Sequence, residues 1–344
     1  MNGFWTVLLS VVVLTVLQAS GTWAAEEAAG VAPPALPEGA TGIAAKYPGD
    51  TGIDKDPDVI YATNFEDGFA GGLNPERDGV VALQDASIAH SGKGCAQITA
   101  TRSKDTGGDL VYTWEPGVDQ CFVRAYVKFH KDTVTPHHFI GLGGRGPNYK
   151  WSGGAGFRPA GDSNFGATIE SPKLDEPNSG WQFYCYWHEM HSWQTPEGAS
   201  AGQPNAYYGN NFRPDDQPPF PGREKWICVE WMVKVNRLGQ HDGELAYWID
   251  GKKLGHWGPG FPLGSWIRDS FVTSGPFNKN PKPFEGFNWR TEERLKVNRL
   301  WLQWYVSPES AQPGKTDTNI VYFDDVVVAK HYIGPLQPAA PKAP

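Results

Sequence analysis

The residues in this chain that could do chemistry sit at alternate positions of a few extended segments. In residues 181–190 (WQFYCYWHEM), Trp181, Phe183, Cys185 and Trp187 alternate with Gln182, Tyr184, Tyr186 and His188. In residues 121–129 (CFVRAYVKF), Val123, Ala125, Val127 and Phe129 alternate with Arg124, Tyr126 and Lys128. Residues 226–235 set Ile227, Val229, Trp231, Val233 and Val235 against a face carrying Glu230 and Lys234. Residues 299–306 set Leu300, Leu302, Trp304 and Val306 against Trp301, Gln303 and Tyr305. A sheet face that only meets water carries mostly Thr, Ser, Lys and Glu. The faces left over here are aromatic and amide-rich, with Arg, Lys and His among them. Aromatic rings stack on sugars, cations and amides neutralise carboxylates, and Tyr and His move protons. If these strands are neighbours, the leftover faces form one groove suited to an acidic sugar polymer. The alternative is that some of the tyrosines fill a second small core beneath loops.

Period-two alternation with β-branched and aromatic residues predicts strands. Residues 225–254 read as a hairpin: a first strand to Val235, a Gly-, Asn- and Asp-rich connection, a return over 244–250, and a tight turn at Asp250-Gly251. Further strands are expected at 59–65, 80–83, 95–102, 109–114, 138–142, 154–158 and 319–329. Long polar loops run over 191–225 and 255–294, and loops of that length usually carry function. Many strands, long connections and no helix of any length point to an all-β, two-sheet jelly-roll sandwich.

Composition narrows the function classes. The formal net charge is −8 and no basic run occurs, which argues against a nucleic-acid partner. Gly (41), Pro (29) and Trp (15) are plentiful, as expected of a turn-rich β protein with a ligand surface or aromatic inter-sheet packing. Residues 4–17 are an apolar run of export-signal length, with a small-residue cut expected after Ala24, so 1–24 reads as a signal peptide. The mature chain is then expected outside the cytoplasm, secreted or periplasmic, with no membrane attachment and as a monomer. Residues 25–57 read as a flexible Pro/Ala/Gly-rich leader, 58–334 as the folded domain and 335–344 as a disordered tail. Cys95, Cys121, Cys185 and Cys228 allow three disulfide pairings, and buried thiols are equally compatible with their positions in strands.

The hairpin WICVEWMVKVNRLGQHDGELAYWIDGKKL, the segments CFVRAYVKF and HHFIGLGG, and the closing YFDDVVVAKHYIGP resemble alginate- and glucuronan-type polysaccharide lyases of families 14 and 20, over roughly residues 59–334. The resemblance implies a concanavalin A-like jelly roll and cleavage of uronate polymers by β-elimination, with no cofactor required. It implies a Tyr-x-Tyr at Tyr184 and Tyr186 and an arginine at Arg158. The family's lysine position falls on His138 and its serine position on Gly156, so both depart from the pattern. His138 or His188 would then be the base, Tyr184 or Tyr186 the acid/base, Arg124, Arg158 and Gln303 the carboxylate handlers, and Trp301 a stacking platform. The two departures equally suit a protein on the same fold that binds a polysaccharide without cutting it.

Other readings carry less. A glycoside hydrolase needs two carboxylates across the groove, and these faces offer only Glu230, which could instead pair with Arg124 or Lys128. The Glu-x-Asp-x-x-Glu signature of laminarinase-like jelly rolls is absent. Glu66 near the start and Asp325 near the end are acids of the kind that hold a structural Ca²⁺ between terminal strands, with turn capping as the competing reading. A surface protein using the jelly roll only as a scaffold is the remaining alternative.

Overall fold

The computed structural model describes residues 32–77, 79–149, 154–176, 178–196, 202, 204–308 and 317–339. The expected signal peptide, residues 1–24, lies outside them, as do 25–31 of the leader and 340–344 of the tail. The strands are β1 (Val59–Thr63), β2 (Asn74–Glu76), β3 (Val80–Gln84), β4 (Gly94–Thr101), β5 (Gly107–Val118), β6 (Gln120–Phe129), β7 (His138–Arg145), β8 (Asn164–Glu170) and β9 (Gln182–Tyr186). They continue as β10 (Asn210–Phe212), β11 (Ile227–Lys234), β12 (Glu244–Ile249), β13 (Lys252–Trp257), β14 (Leu263–Ile267), β15 (Ser270–Val272), β16 (Lys282–Pro283), β17 (Val297–Tyr305) and β18 (Thr318–Ala329). Among the described residues no helix is long and apolar enough to cross a membrane.

Two sheets form the expected jelly-roll sandwich. One runs β13-β12-β11-β6-β18-β4-β3, with β1 also pairing β18. The other runs β16-β14-β15-β10-β9-β8-β7-β17-β5-β2. The faces that alternation assigned to the interior meet between the sheets. Val123, Ala125, Val127 and Phe129 of β6 join Ile227, Val229, Trp231 and Val233 of β11 in one core with Phe183, Cys185, Leu300, Leu302 and Trp304 from the other sheet. Each of these side chains is fully buried. At roughly 1.5–3 kcal/mol per large apolar side chain, this layer is the main source of stability.

Part of the outer face of the first sheet is covered. Three short 3-10 turns, Ile43–Lys46, Pro48–Asp50 and Ile53–Lys55, lie across it. Ile43, Ala44 and Ile53 pack with Phe122, Met232, Trp248, Tyr332 and Ile333 into a second hydrophobic cluster. The amides of Ile43 and Ala44 donate to the carbonyls of Tyr332 and Ile333 at 3.0 and 2.9 Å, which ties the leader to the end of the domain. Residues 32–57 are therefore not the expected flexible leader. The tail is also ordered at its start: the Leu336 amide donates to the Tyr126 hydroxyl at 2.9 Å, and the Gln337 carbonyl accepts the Gly49 amide at 2.8 Å. The segment shows no strand or helix period because it fits an irregular surface by isolated apolar contacts.

Candidate active site

The leader and tail remove half of the expected groove. Arg124 is fully buried, paired to Asp50 and donating to the carbonyls of Asp325 and Gly334. Glu230 accepts the amides of Ile333 and Gly334 at 2.7 and 2.8 Å. Tyr126 stacks on His90 with ring centroids 3.7 Å apart. Lys128 donates to the Ile88 carbonyl and lies 4.8 Å from the Trp226 ring. Lys234 is held by Glu244 at 2.6 Å. All five belong to β6 and β11, in the sheet opposite the one carrying Tyr184, Tyr186, Trp301, Gln303 and Tyr305. Arg124, Tyr126 and Glu230 hold the terminal segments, Lys128 holds the 85–93 loop and Lys234 pairs within its own sheet, so the expectation that they bind substrate in one groove with the second sheet is corrected.

The outer face of the second sheet keeps the rest together. Three antiparallel pairings, β9 with β8, β8 with β7 and β7 with β17, put Tyr184, Thr168, Gly141 and Trp301 in one row. The next row is Tyr186, Gly166, Gly143 and Arg299. Side chains directly opposite across strands share a face. Tyr184 and Tyr186 thus form one wall, Trp301 and Arg299 the other, and glycines with Thr168 the floor. Three inter-strand steps make the trough roughly 14 Å wide between backbones. A Cβ on Gly166 would meet nothing within 4 Å, so that part of the floor is open.

One end of the trough holds the reactive groups. Pairing of β7 with β17 slips between Leu302 and Tyr305, which brings Tyr305 opposite His138. Their rings lie nearly parallel with centroids 5.9 Å apart, and the Tyr184 ring is 5.1 Å from His138 on the other side. His138 Nδ1 lies 3.1 Å from Oε1 of Glu170, the last residue of β8. An ionised Glu170 accepts a hydrogen bond from Nδ1–H, which leaves the lone pair on Nε2. Burial pushes the Glu170 carboxyl up, with His138 pulling it back down. The Tyr184 and Tyr186 hydroxyls are 3.4 Å apart, and burial raises both phenols above the ordinary tyrosine value. Near neutral pH they are proton donors. Asn211 of β10 lies opposite Tyr184 and accepts from the Gln182 amide at 3.3 Å.

Arg158 and His188 have a different setting. Residues 154–158 form no strand; Gly156 makes only an isolated bridge to Tyr207, and the Arg158 guanidinium lies 5.0 Å from the Tyr207 ring. The strand beside β7 in the sheet is β8, whose outward residues are Gly166, Thr168 and Glu170, so Gly156 and Arg158 are not on the strand that neighbours His138. His188 follows the end of β9; burial, with Arg158 and His241 nearby, lowers its pKa against the pull of Glu189. His241 in turn holds Glu189 at 2.7 Å. Glu170 was missed because FGATIE has few large side chains and follows a glycine-rich run, so its period does not stand out.

The acids considered for calcium close a turn. Glu66 Oε1 accepts the amides of Lys93 and Gly94 at 2.7 and 2.6 Å. Asp325 meets His90 Nδ1 at 2.6 Å and accepts from the Ser91 hydroxyl at 2.7 Å. Among the described residues no three His, Cys, Asp or Glu side chains are grouped to hold a metal. Carboxylates facing N–H and O–H donors do not fit a hard cation, which needs free oxygens converging on it.

No family model matches the sequence, and no curated protein does. Solved structures do resemble it in the course of the chain. An alginate lyase from a Chlorella virus aligns at 14% identity and TM-score 0.49, over 80% of this chain and 100% of that one. The marine PL-14 alginate lyase from Aplysia kurodai aligns at 16% identity and TM-score 0.47, over 79% and 99%. An endo-β-1,4-glucuronan lyase from the fungus Trichoderma reesei aligns at 11% identity and TM-score 0.41, over 79% and 95%. Identity this low leaves the chemistry to be argued from side chains alone.

Proposed function

We propose that this protein is a polysaccharide lyase, acting outside the cytoplasm as a monomer, that cleaves a uronate-containing chain by β-elimination. The observation that carries the reading is the His138 imidazole, held by Glu170 on one nitrogen and set beside Tyr184 at the end of a glycine-floored trough. With Nδ1 committed to Glu170, Nε2 is the base that takes the proton from C5 of the uronate. The electron pair of the C–H bond forms the C4–C5 double bond, and the C4–oxygen bond breaks. The departing oxygen takes a proton from Tyr184 or Tyr186, which burial keeps as neutral phenols. Gln303, on β17 between Trp301 and Tyr305, supplies an amide for the C5 carboxylate, and Trp301 supplies a ring for stacking. Proton transfer by placed groups contributes about 10²–10⁴-fold.

One observation favours binding without cleavage. The reactive end of the trough carries an imidazole, His138, where the resemblance to family 14 implies a lysine. Absorbance near 235 nm, where the unsaturated uronate end absorbs, separates the readings on a panel of uronate polymers. The expected result is a rising signal on one polymer, reduced about 100-fold or more in Tyr184→Phe and Tyr186→Phe together, with an unchanged circular dichroism spectrum. Wild-type turnover in that double variant would sink the mechanism. A flat signal with retained affinity would establish a binding protein.

A further inference from the structure

The wall opposite Tyr186 carries a pair of arginines that the chemistry above does not use. Arg299 is opposite Gly143, and Arg145 is two residues beyond Gly143 on β7. Each guanidinium covers an aromatic ring, Arg299 over Trp301 and Arg145 over Tyr149, both at 4.4 Å from the ring centre. Among the described residues neither has a carboxylate within ion-pair reach. The acids whose charge acts on Arg299 are Glu76 and Asp109, and Asp109 is already taken by Arg77 and by the Trp301 indole at 2.9 Å. The Arg299 Nε is buried without a hydrogen-bond partner. Burial and the Arg145 charge both weigh against the Arg299 cation and lower its pKa to about 10, so it remains charged at neutral pH.

Two like charges held side by side and half-buried, with Glu76 and Asp109 acting on Arg299 only from beyond ion-pair reach, favour an anionic group that joins them. In a chain of formal charge −8 the pair is also out of keeping with the overall balance. Its place is informative. Arg299 lies level with Gly143, five residues along β7 from His138, which is about 17 Å at 3.4 Å per residue. We propose that Arg299 and Arg145 form a distal subsite that takes the carboxylate of a uronate unit several sugars away from the bond being cleaved, with the ring of that unit or its neighbour against Trp301. The inference rests on the trough being the polysaccharide site. It adds that the protein reads negative charge along the chain, and not only at the reacting sugar.

The test is binding without turnover. Hexasaccharides of β-1,4-glucuronate and of mannuronate, and their carboxyl-reduced counterparts, are titrated calorimetrically into the Tyr184→Phe/Tyr186→Phe protein. Arg299→Gln and Arg299→Lys are then added to that background. The expected result is that at least one uronate hexamer binds, and that Arg299→Gln weakens it about tenfold or more, as loss of a charge-assisted contact requires. Arg299→Lys should lose less, the loss should shrink at high salt, and the carboxyl-reduced hexamer should not distinguish the variants. Equal affinity of Arg299→Gln and its parent for the uronate hexamer would overturn the proposal. So would failure of both uronate hexamers to bind, or equal sensitivity of the neutral hexamer. Unchanged thermal melting of Arg299→Gln guards against misfolding. Arg299-dependent binding by a wild-type protein that gives no 235 nm signal would leave this subsite standing and remove the lyase reading.

Discussion

Replacing Asp50 by alanine tests the strangest feature of the fold, an arginine in the middle of a sheet sealed by an irregular segment. Arg124 has no exposed side-chain surface, and Asp50, its ion-pair partner, is 11% exposed. The guanidinium also donates to the Asp325 carbonyl at 3.0 and 3.3 Å and to the Gly334 carbonyl at 3.2 Å. Removing Asp50 leaves a cation that cannot reach water while the leader stays docked. Breaking a buried pair from one side costs about 3–5 kcal/mol. The carbonyl bonds remain and Asp50 sits at the edge, so the lower end, about 3 kcal/mol, is expected. Urea unfolding followed by tryptophan fluorescence reads it as a lowered midpoint at constant slope. Arg124→Met should cost less, because the freed Asp50 can turn towards solvent. Asp50→Ala combined with Arg124→Met should recover at least half of the loss, roughly 1.5 kcal/mol. A change of less than about 0.5 kcal/mol in Asp50→Ala, typical of surface sites, would refute the clamp and return the leader to a loosely held strand of chain.

The same seal predicts a pH dependence. Burial pushes the Glu230 carboxyl up to about 7, against the backbone amides of Ile333 and Gly334 and the Arg124 charge that pull it down. Its folded value lies above its unfolded one, so the stability it contributes is complete below the unfolded value and is lost as pH rises through about 7. The urea midpoint should therefore fall between pH 5 and 8, and fall less in Glu230→Gln, which cannot ionise; identical slopes would contradict the assignment. The four cysteines are buried and unpaired, with burial pushing the Cys95 thiol up to about 12 and the others up as well. Ellman's reagent should find no reactive thiol in the folded protein and all four in denaturant, and fewer than four would reveal a disulfide.

Much of the fold was legible in the chain because side-chain direction in a strand depends only on position parity. Val123, Ala125, Val127 and Phe129, like Leu300, Leu302 and Trp304, lie in the core that their alternation assigns them to. The Tyr184, Tyr186, Trp301 and Tyr305 faces were legible for the same reason. The short strands β2, β10, β15 and β16 were not, since two or three residues cannot display a period. Parity names the two faces of a strand but not what lies over each. For Arg124, Tyr126 and Glu230 that was decided by residues 43–55 and 332–336, far away in sequence and without any repeating pattern. Those segments dock by a handful of apolar contacts and backbone hydrogen bonds, and no local signal announces them. The site was settled in the same way. Tyr184 and His138 become partners through the register of β7, β8 and β9, and Arg299 faces Tyr186 across glycines through the register of β17. Sequence determined which side chains leave the core; only the pairing of strands, fixed by the whole sheet at once, decided which of them meet.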